Sequence, residues 1–159
     1  QGGGLDVAPR ISVDVGALKY TEQFRLDQVV EPSVMVQARE AIAADLEQLD
    51  GRASPDALVG MGGAVTNITA VSREMATYDA DVVQGSVLDA DEIDRQIELY
   101  RSRDADGRRQ IVGLQPKRAE VILAGACIVR TVMDKFRQSS LRVSDRGLRH
   151  RLLVERFGN

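Results

Sequence analysis

Two periods organise the apolar positions of this chain. In Ile11-Ser12-Val13-Asp14 every second residue is apolar, which predicts a strand over residues 5–14, behind a hairpin turn at Gln1-Gly2-Gly3-Gly4. After Pro32-Ser33 the spacing changes. Met35, Ala38, Ile42, Leu46 and Leu49 take the three-and-four step of one buried helical stripe, and Asp50-Gly51 stops it. Residues 57–61 read as a short apolar strand ending at Gly62-Gly63, and a second helix is predicted over 66–78. Asp89 followed by Glu92 forms a capping box for a third helix that buries Ile93, Ile97 and Tyr100. The polar run 101–110 reads as a loop. Pro116 stands at the entrance to the longest helix, where Ala119, Ile122, Ala126, Val129, Met133 and Phe136 line one face. Residues 141–144 suit a strand and 147–157 a closing helix. Strands alternating with helices predict an α/β layer architecture, with one domain over 1–159. Strand–glycine turn–helix units suit anion binding at the carboxyl ends of the strands.

Composition narrows the class. At 159 residues the chain can bury a real core, and 43% hydrophobic with 28% charged residues is the balance of a soluble globular protein. Apolar runs such as Val121-Ile122-Leu123-Ala124 fall far short of the ~20 residues that cross a bilayer, so no membrane partner is expected. No charged-then-apolar leader opens the chain. Cys127, the one cysteine, lies in an apolar helical pattern and reads as a buried thiol in a reducing compartment, so the cytoplasm is the expected location. The net charge of −3 conceals an asymmetry: residues 1–100 carry 7 basic and 18 acidic side chains, residues 101–159 carry 14 basic and 6 acidic. A basic half can gather a polyanion, although two oppositely charged solvated faces are the plainer reading. With 4% aromatic residues no stacking platform for nucleic acid is apparent.

Three clusters could carry chemistry. Gly60-Met61-Gly62-Gly63-Ala64-Val65-Thr66-Asn67 follows a strand and precedes a helix. Glycines let the backbone approach a ligand, and the helix start offers free N–H groups with partial positive charge, so a phosphate fits. A tight turn that needs glycine only for its dihedral angles is the alternative. The motif is neither a Walker loop nor a dinucleotide fingerprint. Gly113-Leu114-Gln115-Pro116-Lys117-Arg118-Ala119-Glu120 puts two cations at a helix start, the wrong end of the dipole, which an anion or Glu120 would offset. Ser144-Asp145-Arg146-Gly147-Leu148-Arg149-His150-Arg151 could cap the last helix or present arginines to an anion, and a solvated basic face explains it as well. His150, a lone histidine between arginines, makes a poor metal site and is given no catalytic role. Asp14-Val15-Gly16 and Gly2-Gly3-Gly4 imitate phosphate loops without the right sequel.

Taken in order, five segments resemble the exopolyphosphatase/guanosine pentaphosphate phosphatase family. Residues 13–22 resemble its Leu-Gly-Ala-Val-Arg-x-Thr-Glu segment, and Gly60 to Asn67 its second glycine-rich loop. Gln84-Gly85 with Leu88 resembles its His-Gly strand. Gly113 to Glu120, continuing to Ala124-Gly125-Ala126, is similar to Gly-Leu-x-Pro-x-Arg-Ala-Asp…Ala-Gly-Ala, and residues 144–149 to Ser-x-x-Gly-Leu-Arg. The resemblance implies an α/β, ribonuclease-H-like lobe of an actin-like ATPase fold, a mixed sheet flanked by helices, as the second lobe of a two-lobe magnesium-dependent phosphatase. The implied partners are inorganic polyphosphate or guanosine pentaphosphate and an N-terminal lobe, with a homodimer left open. Phosphate contacts are implied for Gly62, Gly63, Ala64, Thr66 and Arg118. Lys19 is implied as support, as is Glu120, which would orient Arg118 or hold a magnesium-bound water. The water-activating acid belongs to the first lobe, so no catalytic residue is expected here. Ala64 stands where a threonine is usual, Glu120 replaces an aspartate, and Arg151 a small residue.

Half of a phosphohydrolase cleft is therefore the leading expectation. A non-catalytic module that senses phosphate chains or nucleotides is the alternative, and an interaction domain whose basic half docks an acidic partner is the third.

Overall fold

The computed structural model describes residues 13–49 and 57–145. The hairpin turn at residues 1–4, most of the strand expected over 5–14, the Asp50-Gly51 stop and the closing helix at 147–157 lie outside the described residues. Within them the chain opens on a helix, α1 (Val13–Phe24), rather than a strand ending at Asp14. Val13, Gly16, Ala17, Tyr20 and Thr21 are all buried, and that three-and-four spacing outweighs an alternation only four residues long.

The chain then continues through α2 (Pro32–Asp45), a 3-10 turn (Leu46–Leu49), β1 (Val59–Met61), α3 (Gly63–Ser72), α4 (Ala80–Val83), β2 (Val87–Asp89) and α5 (Ala90–Arg101). It ends with α6 (Ala105–Arg108), a second 3-10 turn (Pro116–Arg118), α7 (Ile122–Lys135) and β3 (Ser140–Ser144). The expected stripe on α2 holds, with Met35, Ala38 and Ile42 buried and Leu46 buried in the turn that follows. Helix α3 starts three residues before the expected Thr66 and stops at Ser72, because Glu74 adopts φ 52° and turns the chain away. Tyr78 is thereby left in a loop.

Half of the capping box forms. The Asp89 carboxylate accepts from the Glu92 N–H at 2.9 Å, but the Glu92 carboxylate turns to Arg95 and Gln96 instead of back to the cap. Gln96 also donates to the Ile68 carbonyl at 2.9 Å, tying α5 to α3, and accepts from the Tyr100 hydroxyl.

The stretch read as a loop at 101–110 contains α6, and Arg108 there is fully buried. Its guanidinium donates to three carbonyls: Tyr100 at 2.8 Å, Gln28 at 3.0 Å and Ala119 at 3.2 Å. Burial lowers its pKa to about 10, offset in part by Asp27 and Asp104. A buried cation with no carboxylate bonded to it among the described residues is tolerable because three carbonyls meet its N–H groups.

All six residues expected on the face of the longest helix are buried, yet Pro116 heads a separate 3-10 turn and the α-helix starts at Ile122. Every residue from Ile122 to Val129 is buried, so the first two turns of α7 are apolar all round, as a segment enclosed by other helices must be, and Arg130, Asp134 and Lys135 bring its last turns to the surface. It packs against α1, α2, α3 and α5. Cys127, in its middle, is inaccessible, and burial pushes its thiol pKa up to about 12.

The sheet runs in the order β1-β3-β2, with β1 parallel and β2 antiparallel to β3. Met61 pairs with Ser144, so β1 and β3 end side by side. Gly62 and Asp145, the next residue of each strand, therefore leave the sheet at the same edge.

Candidate functional site

At that edge the chain passes from β1 into α3 through Gly62, whose φ of 98° and ψ of 175° suit glycine alone. The first backbone hydrogen bond of the helix runs from the Thr66 N–H to the Gly62 carbonyl at 3.0 Å. Helix geometry leaves the N–H groups of Gly63, Ala64 and Val65 without intrahelical acceptors, directed out of the positive end of the dipole.

Arg118 closes this end from the side. A β-carbon placed on Gly63 would lie 1.9 Å from Arg118 Nη2 and 2.0 Å from Cζ, so the guanidinium rests on the glycine itself. Two segments about fifty residues apart thus converge as a ring of donors: backbone N–H groups from one and a planar cation from the other.

A side-chain amide fastens them together. Asn67, 3% exposed, donates through Nδ2 to the Gly63 carbonyl at 2.8 Å and to Gln115 Oε1 at 3.0 Å. Its Oδ1 accepts from the Gln115 N–H at 2.7 Å. Farther along α3, Gly113 (φ 97°) lies so close that a β-carbon there would meet the Ala70 carbonyl oxygen at 2.5 Å. The segment carrying Arg118 is thus laid along α3 at two points.

Gly62, Gly63, Ala64, Thr66 and Arg118 are therefore brought together. Ala64 contributes only its backbone, because its methyl faces α7, 3.0 Å from where a β-carbon on Gly125 would lie. The Thr66 hydroxyl turns back to the carbonyls of Gly62 and Gly63 at 3.1 and 3.3 Å. The two supporting residues have other partners. Lys19 Nζ pairs with Asp45 at 2.9 Å, an oxygen to which the Tyr20 hydroxyl also donates. Glu120, largely exposed, accepts from Arg109 Nη2 at 3.4 Å.

Sequence reasoning places Asn67, Gln115 and Gln84 within its motifs without giving them a role, and leaves Tyr78 out of the site. Asn67 and Gln115 form the latch, and Tyr78 donates to Asp145 at 2.6 Å beside Thr66. Burial, then the Asp145 hydrogen bond, raises the Tyr78 pKa far above the ordinary phenol value, with the Thr66 hydroxyl acting the other way. Tyr78 thus faces Asp145 as a neutral donor. Gln84 holds the Asp145 N–H at 2.8 Å. An asparagine inside the otherwise apolar run of α3 was the available signal, since a buried amide must be bonded to something.

Among the described residues no three histidine, cysteine or acidic side chains gather as metal ligands. No helix among them is long and apolar enough to cross a membrane.

The sequence model of the Ppx/GppA phosphatase family matches residues 2–159. The bifunctional 3-dehydroquinate synthase/phosphatase of Fusobacterium nucleatum is 27% identical over 143 residues, which cover 87% of this chain and 21% of that protein. The PPX-GPPA enzyme of Aquifex aeolicus aligns at a TM-score of 0.79 and 28% identity, over 93% of this chain and 49% of the other. An exopolyphosphatase from Cytophaga hutchinsonii has the same fold at a TM-score of 0.67 and 15% identity, covering 82% of this chain and 44% of its own. This chain spans about half the length of the solved structures and about a fifth of the curated relative. The expected α/β fold, a small mixed sheet flanked by helices as in an actin-like ATPase, is the one observed.

Proposed function

This chain belongs to the Ppx/GppA phosphatase family, and on that premise we propose that it forms the phosphate-chain-binding half of a phosphohydrolase. The substrates in this reading are the terminal phosphoanhydrides of inorganic polyphosphate or guanosine pentaphosphate. The observation that carries it is the Arg118 guanidinium lying on Gly63 at the open start of α3. Backbone N–H groups there donate to phosphate oxygens at close range, and a planar fork beside them pairs bidentately with the same group or the next.

In this proposal the chain binds and orients. Phosphoryl transfer to water needs positioning and neutralisation of charge on the moving phosphoryl group, both of which fixed donors supply without reorganising. Among the described residues, Glu120 faces Arg109 and Asp145 accepts from Tyr78. Activation of water is assigned, as the family resemblance implies, to a second lobe of the same protein, the partner that closes the cleft. Magnesium belongs to the same proposal, although no three histidine, cysteine or acidic side chains gather to hold it among the described residues. Phosphate chains carry it as a counter-ion in any case. A cytoplasmic location is part of the same proposal.

Phosphate release from polyphosphate and from guanosine pentaphosphate, measured on the two-lobe protein and on this chain alone, tests the reading. Turnover by the two-lobe protein with binding but no turnover by the chain is expected. Full turnover by the chain alone would overturn the division of roles. Binding without turnover in both would favour the sensing module.

A further inference from the structure

We propose that Asn67 is a positioning residue of this site, whose amide sets the Arg118 guanidinium over Gly63. The inference rests on the phosphate-binding reading above and assigns to Asn67 the alignment of its two halves.

The chain of contacts is short. Asn67 grips the Gly63 carbonyl on one side, and on the other both the main chain and the side chain of Gln115. Gln115 is the N-cap of the 3-10 turn that carries Arg118, and the Arg118 N–H donates to the Gln115 carbonyl at 2.9 Å. The residue whose carbonyl Asn67 holds is the one on which the guanidinium rests. Attachment of the segment as a whole does not depend on this amide. Gly113 already lies against the Ala70 backbone, and Arg108 holds the Ala119 carbonyl beyond the turn. What remains for Asn67 to fix is the local register between the helix start and the turn. Both amide hydrogens and the carbonyl oxygen are used, a set that no other side chain of this size provides.

The experiment measures inorganic tripolyphosphate binding by calorimetry on the natural protein and on Asn67→Ala, Arg118→Ala and the double variant. Asn67→Ala should weaken binding about fivefold, the worth of roughly one net hydrogen bond. In the Arg118→Ala background the same change should cost less than about twofold, because the group it positions is gone. Equal losses in both backgrounds would mean that Asn67 only stabilises the fold, and would overturn the proposal.

Asn67→Asp adds a pH readout, taken relative to the unaltered protein at each pH and compared with the melting temperature of the variant, which a fold-stabilising role would move in step. The introduced carboxylate keeps an acceptor for the Gln115 N–H but repels the Gly63 carbonyl and the anion. Binding should recover as pH falls and the protonated acid again offers a donor, and absence of that recovery counts against the proposal. If Arg118→Ala weakens binding while Asn67→Ala does not, only this inference falls. If Arg118→Ala changes nothing, or the unaltered protein does not bind tripolyphosphate, the function reading falls with it. Should Asn67→Ala fail to fold, Gln115→Ala, at an exposed residue, carries the same coupling test.

Discussion

Arg118 and Gly63 touch where a side chain would otherwise be: a β-carbon on Gly63 would sit 1.9 Å from Nη2, 2.0 Å from Cζ and 2.6 Å from Nε of the arginine. The obstructing atoms are the far end of a flexible side chain, whereas those facing Gly113 belong to the Ala70 and Val71 backbone. The two glycines therefore differ in what replacing them does. Substitution at 113 strains the fold, and substitution at 63 moves a guanidinium.

Gly63→Ala should fold normally. Alanine in a first helical turn is worth up to about 1 kcal/mol over glycine, so the melting temperature should hold or rise. The displaced Arg118 should weaken phosphate-chain affinity about tenfold, in line with loss of one charge-assisted contact. Affinity unchanged in a folded variant would show that the guanidinium position is irrelevant to binding.

Glu120→Gln should do almost nothing. The carboxylate is largely exposed and meets Arg109 at 3.4 Å, an arrangement that contributes little in water. Melting temperature and tripolyphosphate affinity should both match the unaltered protein. A drop of tenfold or more in turnover would place Glu120 in the site.

Arg108→Ala should be among the most damaging substitutions in the chain. It removes one donor from each of the carbonyls of Gln28, Tyr100 and Ala119 and opens a cavity at a fully buried position. The expected loss is about 3 kcal/mol or more by urea unfolding. Arg108→Lys should also destabilise, because one ammonium lacks the fork that spans three acceptors. A lysine variant as stable as the natural protein would contradict this account of the guanidinium.

Glu92 gives the fold a pH dependence of known sign. Hydrogen bonds from Arg95, at 2.9 and 2.7 Å, and then from Gln96 hold its pKa below the ordinary glutamate value against some desolvation. A depressed carboxyl contributes stability that is complete above the unfolded value, roughly 4.3, and is lost as pH falls through the folded one. The stability gap between the natural protein and Glu92→Gln should thus be constant near neutrality and close below about pH 4. A gap that persisted at pH 3 would mean that the loss is steric.

Periodicity revealed the elements that are long and one-sided. The α2 stripe and the buried face of α7 follow from spacing alone, and the Asp89 cap from one residue pair. It failed where the signal was short or non-local. The alternation ending at Asp14 reads as a strand, whereas Val13 and Asp14 open α1, and Pro116 reads as the entrance to a helix that starts at Ile122. Arg108 sits in a polar run and looks solvated. Its burial depends on carbonyls 8, 11 and 80 positions away, which no local pattern announces. For the site, the glycine loop and Arg118 were legible as separate clusters, but their contact was not. It depends on how the segment lies along α3, and so on Gly113 and Asn67.

The enclosure of α7 also bears on how the chain matures. Helices α1, α2, α3 and α5 all rest on a segment that begins at Ile122, late in the order of synthesis. Until it emerges from the ribosome, four amphipathic surfaces have no common partner, and β1 also lacks the strand that pairs with it, β3. Contacts of such long sequence separation slow folding. The four helices therefore gain their shared partner only once residues 122–135 have been made, and the sheet closes only with β3 after them.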